Sequence, residues 1–492
     1  MQGCPLRQPC IFVSTSGNHS IEIIAKFARR NTMTKPFGFR DKLGYLMGDI
    51  GNDFTFVLSS TFLLKFYTDV MGVPAAVVGT IIMIARFVDA FTDVTMGRIC
   101  DRSATTKNGK FKPWIRRMCL PVAISSFLIY QSGLADMSTG FKIGYLFVTY
   151  ILWGSFFYTS INIPYGSMAS AISADPGDRQ SLSTYRSIGA TFASVIVGAI
   201  IPLIAYEEVN GIMLLNGEVF TTIAGVFSIC AIISYLICYS LVTERVHIPS
   251  NAEKKEDNNV VAMLRNAVTN KALISIIAAS IVMLLAQMTL QSMANYVYPI
   301  YYGNTTAQSV SMVVMLAGSL IIAAVAKPIA ARYGKAEVAV VSSFIAAGVC
   351  ILLFFVRPQN VWVYVALQAI CWLALGVFSM ISWALITDVI DYSEIKNGIR
   401  EDGSVYALYS FARKLGQAGA AGLVGSMLTA IGYSETTATQ ASVREGLFNI
   451  STLVPAVGFV LLGLVLWLWY PLHKRQVEKN VELLRNKNGH DA

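Results

Sequence analysis

The sequence predicts an all-α polytopic membrane protein, and three observations carry that prediction. Hydrophobic residues fill 54% of the 492 positions and charged residues only 14%, against about 25% charged in soluble domains. The mean hydropathy is +0.56, and apolar runs long enough to cross a bilayer, which takes about 20 residues, recur along the whole chain. Basic residues gather in every second interval between those runs, as they do when alternate loops lie on opposite sides of a membrane.

About twelve spans are expected, with approximate cores at 43–68, 75–99, 114–134, 142–170, 184–206, 219–243, 271–301, 309–331, 336–356, 361–390, 403–431 and 450–471. Most of the 38 Lys and Arg fall in the N-terminal region, 98–117, 175–183, 244–271, 327–335, 391–402 and the tail from 473. The opposite intervals hold only Lys142, Arg357 and Arg444, with Lys65 near the far end of the first span. The positive-inside rule makes the crowded side cytoplasmic, both termini included, in a cell (inner) membrane protein. The net charge of +9 is then a signal of topology, and the lipid bilayer rather than nucleic acid is the expected partner.

The mixed-sign stretch Thr243–Lys271 divides the chain. An N-terminal six-helix bundle is expected over 35–243, a cytoplasmic linker over 244–270, a C-terminal bundle over 271–472 and a cytoplasmic tail over 473–492. In each half, basic residues and a glycine follow the second span directly, at 97–114 and 326–337. That arrangement fits a duplicated transporter of the major facilitator fold, two bundles around a midplane cavity. Residues 1–34 lack a signal-peptide core and are expected to be a disordered extension, with Met33 as an alternative functional start. The eight cysteines show no CxxC spacing and lie mostly in or beside apolar runs, where Cys behaves as a small hydrophobe. With four His and no HExxH, neither a metal centre nor a cofactor nor enzyme chemistry is expected.

Polar residues within the spans carry the functional reading. In the first, GDIGNDF sets Asp49 and Asp53 at i, i+4 on one face. A carboxylate at 53 can accept paired hydrogen bonds from the vicinal hydroxyls common in sugars, or serve a helix-packing ion pair. In the second, Arg86, Asp89 and Asp93 fall at i, i+3, i+7 and share a face. Each such charge costs ~2.5–3.5 kcal/mol at the bilayer centre, so the face belongs toward the bundle interior or a water-filled path. Two carboxylates against one guanidinium leave a surplus negative charge, for which a transported cation is the leading candidate. In the fourth span, Tyr158 and Thr159 neighbour Asn162 on one face, and Pro164 frees a backbone carbonyl nearby. Thr159 offers an oxygen to a small cation and Asn162 a donor and acceptor to a hydroxyl, although both residue types also serve as interhelical glue.

Arg186 of the fifth span either contacts substrate or snorkels to the interface. Gln287, Gln291 and Asn295 recur at i+4 steps in the seventh, forming a cavity wall or a packing seam. In the eleventh, Lys414 can complement the surplus carboxylate, which makes it a coupling candidate, and the small residues Gly416–Gly422 permit close helix approach.

From about Lys35 onward the motifs GDIGNDF, FYTDVMG, ARFVDAFTDVTMGRICD, GKFKPW, NIPYGSM, DVIDYSEIKNGIREDG and FARKLGQA appear in order. Together they resemble the glycoside–pentoside–hexuronide:cation symporter family, typified by the melibiose permease and the glucuronide and xyloside carriers. The resemblance implies that Asp89 and Asp93 bind the co-transported cation, Na⁺ or H⁺, with Thr159 sharing the site and Thr92 beside the second carboxylate. It implies substrate contacts at Asp53 and Arg186, to which the fourth-span reading adds Asn162 and Tyr158, and a role for Lys414 close to the cation site. Asp388, Asp391 and Arg400 match charges that lock the cytoplasmic side, and Arg86 is read as a structural or gating ion-pair residue. Asn162, Gly166 and Thr92 depart from the melibiose permease, which has Asp, Trp and Asn there; NIPYGS is similar instead to the glucuronide and xyloside carriers. The expected function is import of a glycoside, pentoside or glucuronide, a small-molecule sugar partner, by cation symport. Two alternatives stay open: a cation-coupled carrier of a lysolipid or organic anion, and a non-transporting membrane sensor.

Overall fold

The computed structural model describes residues 36–246, 270–397 and 402–490. The expected N-terminal extension, most of the expected linker and Arg400 lie outside the described residues. Twelve long helices follow one another among the described residues: α1 Phe39–Asp69, α2 Ala75–Arg102, α3 Lys112–Ile129, α4 Thr139–Ile172, α5 Pro176–Ile204, α6 Gly217–Leu241, α7 Lys271–Tyr301, α8 Thr305–Tyr333, α9 Lys335–Val356, α10 Val361–Asn397, α11 Asp402–Ala430 and α12 Ala441–Trp469. A further helix, α13 (Lys474–His490), follows them. Eight of the twelve are long and apolar enough to cross a bilayer unaided; α1 and α11 are not among these, because they carry the polar and charged residues of the interior.

Some helices begin earlier than hydropathy indicates. The first turns of α5 are polar, yet Asp175 accepts from the Asp178 N–H at 3.0 Å and Pro176 fills the first turn, a strong start signal. Helix α12 starts at Ala441 rather than near 450, and its early Arg444 donates to the Tyr301 carbonyl at 2.7 Å. Between α5 and α6 stands an antiparallel hairpin, β1 Tyr206–Val209 and β2 Ile212–Leu215. Its turn residues Asn210 and Gly211 both have positive φ, 51° and 79°, the two-residue geometry that Asn-Gly favours.

Helices α1–α6 bury one continuous apolar core, and α7–α12 build cores of their own. The end bearing loops 103–111 and α13 is called the basic end here, and the opposite end the hairpin end. At the basic end Glu244, just beyond α6, accepts from the N–H groups of Lys110, Phe111 and Lys112 at 2.7, 3.0 and 2.7 Å. A carboxylate at the open N-terminus of α3 satisfies donors that the helix cannot. Gly109 makes this possible: its φ is +107°, and a Cβ there would stand 2.5 Å from the Glu244 carboxyl carbon. The GKFKPW segment is thus a cradle for a carboxylate.

The halves meet closely at the hairpin end. On α2 and α11, a Cβ on Gly79 would lie 2.5 Å from the Ala421 carbonyl, and one on Gly425 would lie 2.4 Å from that of Ala75. Side-chain-free positions allow this backbone approach, as expected for small-residue helix seams. An apolar cluster spans the halves here, with Ala75, Ile212 and Leu214 against Met293, Tyr296 and Val424. The hairpin therefore belongs by sequence to the first half and packs into the second.

Candidate functional site

The acid face of α2 meets the middle of α4 in register. Ser155 Oγ donates to Asp89 Oδ1 at 2.6 Å, and Thr159 Oγ1 donates to Asp93 Oδ1 at 2.9 Å. Two carboxylates at i, i+4 thus face two hydroxyls at i, i+4, one rung each. The α4 segment Leu152–Tyr158 is wound as a π-helix, a rare local widening that recurs at functional sites. Where it ends, both the N–H and the hydroxyl of Thr159 turn to the Gly154 carbonyl.

Cations complete the cluster. Lys414 of α11 reaches across from the second half to Asp93 Oδ2. Arg86 lies 3.4 Å from Asp89 Oδ2 and holds its guanidinium 5.1 Å from the Phe56 ring centroid. Thr92 turns back onto its own helix, donating to the Val88 and Asp89 carbonyls at 3.3 and 3.2 Å. Asp89, Asp93, Thr159, Tyr158, Asn162 and Lys414 all line one cavity of about 180 Å³. The cluster presents carboxylate and hydroxyl oxygens to a space that both halves border, the donor set that hard monovalent cations and protons take.

Asp53 and Arg186 stand apart from this cavity. Arg186 donates from Nε to Asp49 Oδ1 at 2.9 Å, and its guanidinium lies 5.4 Å from the Tyr165 ring centroid. Asp49 is buried, while the Arg186 side chain remains 42% exposed. Asp53 has no hydrogen-bond or ion-pair partner among the described residues, which leaves its carboxylate available. Gly166 lies beside this patch, 3.9 Å from an Arg186 nitrogen measured from an ideal Cβ. Arg413 is engaged elsewhere, 5.5 Å from the Trp383 ring.

A second cavity of about 260 Å³ lies between the halves and shares Phe56, Arg86 and Gln417 with the first. The polar stripe of α7 splits there. Gln291 lines the cavity, whereas Asn295 is a seam residue, donating to the Thr61 carbonyl at 2.7 Å and accepting from Gln308 at 2.7 Å. Beyond it the hairpin end is sealed. Lys65 and Asp69 pair at 2.6 Å with side chains 0% and 1% exposed. Tyr433 bridges them from the other half, accepting from Lys65 at 2.9 Å and donating to Asp69 at 2.8 Å. Burial and then the Asp69 carboxylate hold the Tyr433 phenol well above its ordinary range, so it keeps the proton it donates.

Asp388, at the basic end of α10, pairs with Lys335 of α9 at 2.6 Å within the same half. Asp391 is also engaged, and Arg400 is not among the described residues. The sequence reading does not single out Ser155, Phe56, Trp153, Gly154 or Gln417, which also contribute. Ser155 was within reach, since it precedes Thr159 by the same step that separates Asp89 from Asp93.

The comparisons with known proteins agree with this architecture. A family model described as MFS/sugar transport protein matches residues 44–474. The chain is 31% identical over 461 residues to the glucuronide carrier protein homolog of Escherichia coli (strain K12), covering 92% of this chain and 97% of that one. It is 30% identical over 457 residues to the uncharacterized symporter YjmB of Bacillus subtilis (strain 168), at 92% and 97% coverage. Among solved structures, a bacterial homolog to the human lysosomal transporter Spinster, in an inward-facing and occupied conformation, superposes with a TM-score of 0.67. That likeness covers 91% of this chain and 99% of the other at 12% identity, and it is one of fold.

Proposed function

The chain belongs to the MFS/sugar transport protein family, and on that premise we propose that it is a cation-coupled symporter of a glycoside, pentoside or glucuronide. One observation carries the coupling: the ladder of Asp89 and Asp93 on Ser155 and Thr159, closed by Lys414 from the opposite half. A cation entering between the carboxylates competes with the Lys414 ammonium for Asp93, so occupancy of the seat changes a contact that ties the halves together. The same cation fastens α2 to α4, next to Tyr158 and Asn162, which face the substrate space. Binding of cation and sugar then reinforce each other by one common factor.

Asp53 contributes a carboxylate for paired hydroxyls, and Arg186, held by Asp49, contributes a cationic edge suited to a hexuronide. The basic end is cytoplasmic in this reading, which places both termini inside and the sealed hairpin end outside. The sealed and open arrangements interchange as the two halves rock about the central site. Asp388, Asp391 and Arg400 act at the basic end when that side closes.

The test is uptake by proteoliposomes across a panel of methyl and aryl β-glucuronides, β-xylosides and β-glucosides, with sodium and pH gradients imposed separately. Accumulation of at least one glycoside driven by one gradient is expected. Uptake of none, or uptake indifferent to both gradients, contradicts the reading.

A further inference from the structure

The outer face of the first half carries a cluster of positive charge that the transport reading leaves unused. At the basic end, Lys112 and Arg116 of α3 flank the Tyr239 ring of α6, with Lys112 Nζ 5.0 Å and the Arg116 guanidinium carbon 5.7 Å from its centroid. Arg40 of α1 joins them, donating to the Ser240 carbonyl beside that ring at 2.8 Å and standing close enough to Lys112 to repel it. The neighbouring carboxylates are engaged: Glu244 caps α3 through three N–H groups, and Asp41 pairs with Arg245 at 2.8 Å. No carboxylate pairs with Arg40, Lys112 or Arg116 among the described residues, so the cluster holds surplus positive charge. Along α3, Leu120, Ile124 and Leu128 follow Arg116 at i+4 steps, and along α6, Ile229, Ile233 and Leu236 lead up to Tyr239 at steps of three and four. All six are exposed. The two helices pack closely, a Cβ on Gly225 standing 3.3 Å from the Phe127 ring. From Arg116 to Leu128 the apolar ridge runs about 18 Å, past the middle of a hydrocarbon core about 30 Å thick.

We propose that this surface is a binding site for an anionic phospholipid. The phosphate seats among Arg40, Lys112 and Arg116, where guanidinium forks suit phosphate oxygens, and the Tyr239 hydroxyl supplies a further donor. One acyl chain lies along the exposed ridges of α3 and α6. Basic residues at the end of an apolar helix face are the pattern that anionic lipid headgroups occupy. Here three cations from three helices converge on one ring, which distinguishes the cluster from scattered surface charge. An anion among them relieves their mutual repulsion and ties the basic ends of α1, α3 and α6 together. The site lies apart from the cavities between the halves and does not depend on what the protein carries.

Native mass spectrometry of the full-length protein, titrated in detergent with dioleoyl phosphatidylglycerol or dioleoyl phosphatidylcholine, tests this. One phosphatidylglycerol is expected to bind about tenfold tighter than phosphatidylcholine, the order set by charged contacts near the surface. In Arg40→Gln/Arg116→Gln that preference should fall toward one, and Arg40→Lys/Arg116→Lys should keep most of it. Lys107→Gln/Arg475→Gln removes as much charge from exposed positions at the same end and should leave the preference unchanged. Arg116→Gln alone makes the test if the double variant does not fold. Glycerol 1-phosphate, a headgroup anion without chains, should displace phosphatidylglycerol only at concentrations about a hundredfold higher, because it lacks the acyl contacts. Equal binding of the two lipids, a preference that survives the Gln substitutions, or an equal fall in the Lys107/Arg475 variant overturns the inference. Displacement by glycerol 1-phosphate at matching concentration also overturns it, marking a site for free phosphate esters instead.

Discussion

Two Lys–Asp pairs lie in the interior of this molecule, and they differ in origin and in surroundings. Lys65 and Asp69 sit one helical turn apart on α1 with side chains 0% and 1% exposed. Lys414 and Asp93 come from opposite halves, with side chains 38% and 24% exposed. At the hairpin end every companion is fixed: Tyr433 bridges the pair, Thr68 donates to Asp69 at 2.9 Å, and the Tyr296 ring centroid lies 4.4 Å from the ammonium. At the acid cluster the pair borders a cavity, and Asp93 accepts from the Thr159 hydroxyl, whose oxygen can equally ligate a cation. A dry, fully partnered pair resists exchange, because either ion left alone is stranded in a low dielectric. A pair open to the cavity can trade its ammonium for another cation. The same two side chains thus make a buried, fixed pair in one place and, in the proposed function, an exchangeable one in the other.

The comparison can be broken most forcefully at Lys65. Lys65→Met strands the Asp69 charge and should cost about 3–5 kcal/mol of stability, read as a large fall in the thermal unfolding temperature of the purified protein. Adding Asp69→Leu should recover most of that loss, since a buried pair replaced whole is close to neutral. A double variant no more stable than Lys65→Met contradicts the sealed-pair account. Ser155→Ala removes a hydrogen bond to a charged group, worth roughly 1.5–3 kcal/mol, and should raise the dissociation constant of the coupling cation by about tenfold or more; an unchanged constant removes Ser155 from the seat. Tyr433→Phe deletes the bridging hydroxyl at a cost of about 1–2 kcal/mol. It should increase thiol labelling of a Gln291→Cys reporter from the hairpin end, and unaltered labelling shows that the seal does not need the bridge. Lys414→Gln should change stability least, by under about 1 kcal/mol, while altering cation dependence. A loss as large as that of Lys65→Met erases the distinction between the two pairs.

How far the sequence reveals this site depends on whether a contact lies within one helix or between two. The shared face of Arg86, Asp89 and Asp93 follows from helical periodicity, and the structure turns it toward α4 and α11. The i, i+4 spacing of Lys65 and Asp69 was equally visible, but Tyr433 joins them from 364 positions away, which no local pattern encodes. Register between α2 and α4 decides that Ser155 meets Asp89 and Thr159 meets Asp93 while Thr92 turns back onto its own helix, and register is a property of packing. The Asn210–Gly211 turn was a local signal that hydropathy averaging hides beneath the end of α5. Hydropathy also delays the starts of α5 and α12, whose first turns are polar because they are exposed rather than buried, that of α5 being capped by Asp175. Gln291 and Asn295 read alike in sequence and part company only because Thr61 and Gln308 reach one of them.

The central claim is that Asp93 couples an ion gradient to sugar movement by holding either Lys414 or a cation. Its most direct test is proteoliposome uptake by Asp93→Asn, comparing uphill accumulation under an imposed sodium or pH gradient with downhill exchange of the same glycoside. The account predicts that exchange persists while gradient-driven accumulation disappears. Full accumulation by Asp93→Asn, under the gradient that drives the unaltered protein, would contradict it.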